Sequence, residues 1–149
     1  MCNICLTING AIVNCDKCPY LKQIVDLHNI KFLTCNFCPN LQIINNLNNL
    51  KELSCIGIPI IKLPSLPKLE KLICEKTSIT EIPYYKKIKY IDCSDCLNLT
   101  NIHNMTSLKF LNISGCVNLK KIPKFQFLSQ LQCENSGLEI IPKFRYISN

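Results

Sequence analysis

Two Cys-x-x-Cys pairs, Cys15/Cys18 and Cys35/Cys38, stand sixteen residues apart in the stretch CDKCPYLKQIVDLHNIKFLTCNFC. Paired thiolates at such spacing can close a tetrahedral zinc site, each sulfur about 2.3 Å from the metal. A second set of four is available nearer the N-terminus: Cys2, Cys5, Cys15 and Cys18. Other chemistry is sparse. His28 and His103 fall in connecting segments at different phases, and neither pairs by spacing with a nucleophile. The four glycines form no phosphate-binding loop; Gly115 and Gly137 fit turns. The chain is expected to be non-enzymatic and to carry no cofactor.

The elements that must position these cysteines explain why they recur. Cys15, Cys35, Cys55, Cys74, Cys93, Ile113 and Cys133 follow one another at steps of 19 or 20 residues. Three residues after each comes Cys18, Cys38, Ile58, Thr77, Cys96, Cys116 or Ser136. Two residues before each lies Val13, Leu33, Leu53, Leu72, Ile91, Leu111 or Leu131. Ten of the twelve cysteines therefore occupy just two slots of one repeat. Zinc ligands converge on a point, whereas equivalent slots of stacked repeats form columns. Cys55, Cys74 and Cys133 also stand alone in their repeats. The cysteines are thus expected to be core filler, since a buried free Cys behaves as a small hydrophobe. Disulfides along a column are disfavoured, because stacked equivalents sit about 4.8 Å apart with parallel Cα–Cβ vectors. Zinc at Cys2, Cys5, Cys15 and Cys18 remains the alternative.

Each unit opens with alternation, as in LKFLNIS (108–114), which predicts a short strand with every second residue inward. An apolar residue follows in the return segment (Ile24, Ile44, Leu63, Ile82, Ile102, Ile122, Ile141), and Pro64, Pro83, Pro123 and Pro142 come directly after four of them. Proline fixes φ and removes an N–H, so extended or polyproline returns, or 3₁₀ turns, are expected instead of helices. In LKFLNISGCVNLKKIP (108–123) the unit resembles the leucine-rich repeat, with Cys in the place of the third Leu. The resemblance spans about residues 10–144 in seven units. It implies a right-handed solenoid with a parallel sheet on its concave face. Units this short resemble those of bacterial effectors and of leucine-rich-repeat proteins of large DNA viruses; KLPSLPKLEKL (62–72) is closest to the effector type. In that family the turn slot takes Asn or Cys, so Ile58 is expected to loosen the third turn. One domain covers 1–149, with 1–9 as a partial capping turn and 145–149 as a tail.

The outward strand positions form three columns: Ile12, Phe32, Glu52, Lys71, Tyr90, Phe110 and Gln130; Asn14, Thr34, Ser54, Ile73, Asp92, Asn112 and Gln132; Asp16, Asn36, Ile56, Glu75, Ser94, Ser114 and Glu134. Five carboxylates face Lys71 alone on this surface, in a chain of net charge +7. Phosphates would be repelled there, so nucleic acid is not expected on the sheet. Exposed aromatics are the usual anchors of protein interfaces. The resemblance implies protein binding, and the residues expected to carry it are Phe32, Glu52, Ile56, Lys71, Ile73, Glu75, Tyr90, Asp92, Phe110 and Glu134. A row of lysines before the strands (Lys31, Lys51, Lys89, Lys109) is the alternative, as a polyanion site. The N-terminal stretch lacks a basic region and is interrupted by Asn3, Asn9 and Gly10, so it reads poorly as a signal peptide. No run of about eighteen apolar residues occurs. A cytosolic protein with reduced thiols is expected. Neither end shows a polar cap, which makes end-to-end self-association an expected outcome.

Overall fold

The computed structural model describes residues 6–8 and 10–147. Seven three-residue strands stack in parallel at the predicted spacing: β2 (Ile12–Asn14), β4 (Phe32–Thr34), β6 (Glu52–Ser54), β7 (Lys71–Ile73), β9 (Tyr90–Asp92), β11 (Phe110–Asn112) and β12 (Gln130–Gln132). Their register pairs equivalent residues, Leu53 with Leu72 and Leu72 with Ile91, so each predicted column is a physical column. An eighth strand, β1 (Leu6–Ile8), runs antiparallel to β2 and is the outermost strand at that end. The described residues contain no helix, and none long and apolar enough to cross a membrane. The architecture fits a leucine-rich-repeat-like solenoid of about six turns.

Alternation decides burial. Val13, Leu33, Leu53, Leu72, Ile91 and Leu111 are all buried, and both cysteine slots are buried from Cys15 to Cys116. A fully buried Leu or Ile contributes about 1.5–3 kcal/mol. One turn cannot shield its own inward residues, so each depends on its neighbours. A further core column lies outside the sequence reading: Leu27, Leu47, Leu66, Tyr85, Met105, Phe125 and Phe144 come just after each return segment. Tyr85 is 2% exposed, and its hydroxyl donates to the Pro64 carbonyl oxygen at 2.9 Å.

The turn after each strand is held by backbone bonds. Lys17, Phe37, Gly57, Lys76, Asp95, Gly115 and Asn135 share one slot and all have φ between 54° and 74°. A left-handed non-Gly residue costs about 1–2 kcal/mol. The conformation aims its N–H along the stack: Lys17 donates to Asn36, Gly57 to Glu75 and Asp95 to Ser114, at 2.7–2.9 Å. This corrects the expectation for Ile58. Cys55 and Gly57 make the same backbone bonds as their equivalents, and Ile58 is buried, so the third turn is closed without a polar side chain. Gly137 serves differently from a turn glycine. Its φ is not positive; a Cβ there would lie 2.0 Å from the Val117 carbonyl oxygen, so two turns approach too closely for any side chain.

The returns are extended, and prolines decide where they pair. β3 (Gln23–Val25) pairs in parallel with β5 (Ile43–Asn45), in the two repeats where Val25 and Asn45 replace the proline. β8 (Glu81–Ile82) stops before Pro83 and pairs with β10 (Asn101–Ile102). The returns containing Pro64, Pro123 and Pro142 form no strand, as expected where the ladder lacks a donor.

Candidate functional site

The sheet's outer face holds the predicted residues but does not gather them into one patch. In the first column Tyr90 and Phe110 stack with ring centroids 4.3 Å apart and planes 3° from parallel. The Lys71 ammonium lies 5.2 Å from the Tyr90 ring centroid. The parallel register creates this cation–aromatic–aromatic stack by setting the three residues side by side on β7, β9 and β11. Rings offset at this distance contribute about 0.5–1.5 kcal/mol beyond their burial. Phe32 stands apart, three strands away, or about 14 Å. It rims a shallow depression of about 220 Å³ whose other walls include Glu52, Lys71 and Ile73. On its floor the Thr34 hydroxyl oxygen is buried without a hydrogen-bond partner.

Several outward polar residues are occupied in bracing strand ends. Asp92 accepts from the Ser94 amide (3.1 Å) and hydroxyl (2.9 Å) and from the Asn112 side-chain amide (3.2 Å). Asn112 in turn accepts from the Ser114 amide. Asn36 accepts from the Ser54 hydroxyl and the Ile56 amide, both at 2.8 Å. Burial, then the nearby Asp92 and Asp95 carboxylates, push the Glu75 carboxyl above the usual carboxylate range. Negative charge is thus crowded around Glu75 and only weakly offset. Ile56 and Ile73 are half-buried beside it, while Glu52 and Glu134 are exposed.

The lysines before the strands do form a row, but Glu70 interrupts it. Lys89 donates to Glu70 at 2.7 Å, and Lys51 lies close enough to help hold the Glu70 carboxyl down. His28 and His103 are both exposed, and His103 lies 3.7 Å from Glu81.

The cysteines do structural work with a defined geometry. Cys38 donates its thiol proton to the Cys15 carbonyl oxygen (2.9 Å), Cys96 to that of Cys74 (3.0 Å) and Cys116 to that of Cys93 (3.0 Å). The second slot therefore ties each turn to the one before, as Asn would through its amide. Thr77 substitutes within its own turn, donating to the Cys74 carbonyl at 2.8 Å. Cys2 and Cys5 lie outside the described residues. Among the described residues no group of three or more His, Cys, Asp or Glu side chains could hold a metal ion.

Burial pushes the thiols of Cys35 and Cys55 up; a hydrogen bond with Cys116 and then burial do the same for Cys93. Cys74 and Cys96 share a bond that raises the first and lowers the second. Thiolates, not thiols, are the nucleophiles. In dilute native protein, a thiol-reactive dye is therefore expected to label Cys133 rapidly and the nine buried thiols from Cys15 to Cys116 only on unfolding. Peptide mapping checks this; rapid labelling of most of the nine would refute the packing role. No family model, curated protein or solved structure matches the chain.

Proposed function

We propose that the protein is a non-enzymatic, cytoplasmic binding module that captures a protein partner on the outer face of its sheet, in the manner of a host-directed recognition domain. The observation that carries this reading is the Lys71–Tyr90–Phe110 stack, an ordered aromatic platform half-buried on the outer face of the parallel sheet. Aromatic anchors already held in one geometry lose little side-chain freedom on binding. Crowded carboxylates around Glu75 favour a partner segment bearing basic side chains, which would relieve their mutual repulsion. Polyanion binding draws less support, because Glu70 breaks the lysine row and neutralises Lys89.

Replacing Phe32, Tyr90 and Phe110 together by Ser removes the anchors without touching the inward columns. The variant is expected to keep its thermal transition and to lose affinity for the partner at least about 100-fold. Affinity capture from extracts of the native source, wild type against triple variant, is the measurement; equal recovery of the same partner by both would sink the proposal.

A further inference from the structure

The two ends of the sheet are built differently. At the first, β1 covers β2, and Val13, Cys15 and Cys18 behind it are already buried. At the other, β12 has β11 as its one neighbour among the described residues. Gln130 donates its N–H to Lys109, and the Gln132 carbonyl accepts from Ile113. Successive residues of a strand turn their N–H and C=O to opposite sides. The main-chain pair of Leu131 therefore faces away from β11. Behind the strand the core lies open. Leu131, Cys133 and Leu138 are only partly buried, although their equivalents Leu111, Ile113 and Leu119 are 0% exposed. With Ile141, Pro142, Phe144 and Ile147, Leu131 and Cys133 line a cleft of about 700 Å³. The tail covers it incompletely: Tyr146 stacks on Phe127 at 6.3 Å, but Ile140 remains 76% exposed.

The charge of this end suits a second copy of itself. Residues 129–147 hold Glu134 and Glu139 against Lys143 and Arg145, a zero balance in a chain of +7. The side chains flanking Leu131 are the neutral amides Gln130 and Gln132, whereas β6, β7 and β9 carry Glu52, Lys71 and Asp92. Proteins that protect an edge strand place lysine, proline or a bulge on it. β12 has none of these. A head-to-tail stack would have to seat this edge against β1, which runs antiparallel to the other strands of the sheet, so the parallel stacking of the repeats could not continue across that joint. The two-fold arrangement needs no second edge: one patch meets its own copy and growth stops at two.

We propose that β12 pairs antiparallel with β12 of a second copy, joining two eight-stranded sheets edge to edge and covering both open clefts. The test is sedimentation of the full chain from micromolar to submillimolar concentration. The expected result is a monomer–dimer equilibrium ending at twice the 17.0 kDa chain mass, with Cys133 labelling suppressed as dimer accumulates. Gln130→Lys with Gln132→Lys puts four like charges across the axis, on side chains that are exposed and outside the core. This variant should weaken dimerisation by about 100-fold while leaving the thermal transition of the monomer in place. Ile141→Glu, in the cleft, should act in the same direction. A monomer at every concentration, open-ended growth, or a dimer indifferent to both variants would each overturn the proposal.

Discussion

Raising the pH beyond about 9 is expected to destabilise the protein steeply under reducing conditions. Cys35, Cys55 and Cys93 lie in the core with their thiols pushed well up. An unfolded thiol titrates near 8.5. Below that value both states hold the proton, and the thiols' stabilising contribution is complete. Above it the unfolded chain releases protons that the folded chain retains, so stability falls with pH until the folded values are reached. Each thiol then costs about 1.4 kcal/mol per pH unit, and three cost about 4 kcal/mol at one unit above the unfolded value. Cys38 and Cys74 are pushed up as well and act in the same direction, whereas Cys96, pushed down, opposes the loss only up to the unfolded value. For a domain of ordinary stability, 5–15 kcal/mol at most, this is a large fraction, and a fall in Tm of about 10 °C is expected. Thermal melts at pH 7, 8.5 and 9.5 read it. Cys55→Ile should flatten the slope by one thiol's share, and the column should accept it, since Ile113 already fills the same slot. A Tm unchanged between pH 7 and 9.5 would contradict buried, protonated thiols.

Leu72→Asp should unfold the centre of the solenoid. Leu72 is 0% exposed on β7, with Leu53 on one side and Ile91 on the other. A carboxylate there has no partner and would have to be buried charged, protonate, or drive the strand out of the sheet. The cost is at least about 4 kcal/mol. Because each turn contacts only its neighbours, loss of this strand also uncouples the turns on either side. Circular dichroism should show a lost or broadened transition, and amide exchange should accelerate at Leu53 and Ile91 first. Lys71→Asp, one residue away and facing outward, is the control and should cost within about 1 kcal/mol. If both variants melt alike, the inward–outward assignment of β7 is wrong.

That assignment was legible because it rests on two short periods. Alternation within LKFLNIS sets the side of each residue, and the 19- to 20-residue step sets its column; both follow from local geometry and the need to bury apolar surface. The same logic made the cysteines filler instead of ligands, since equivalent slots cannot converge. It fails at Ile58, because backbone bonds and not the side-chain type hold that turn. It also overlooked the column of Tyr85 and Phe125, which varies between Leu, Tyr, Met and Phe and so hides from a search for one repeated residue.

By itself the sequence determined which side chains point inward, which point outward and how they align along the stack. Only the tertiary structure decided which outward residues meet: Lys71, Tyr90 and Phe110 stack, Phe32 stands alone, and Asp92 is occupied in bracing a strand end. It alone separated the end where an antiparallel β1 covers β2 from the end where β12 is left beside a partly open core. The reason is physical. Period and hydrophobicity are properties of one residue and its slot, whereas contacts across strands and the state of an edge depend on how long side chains lean and on which segments fold back, and these are settled only when distant parts of the chain pack together.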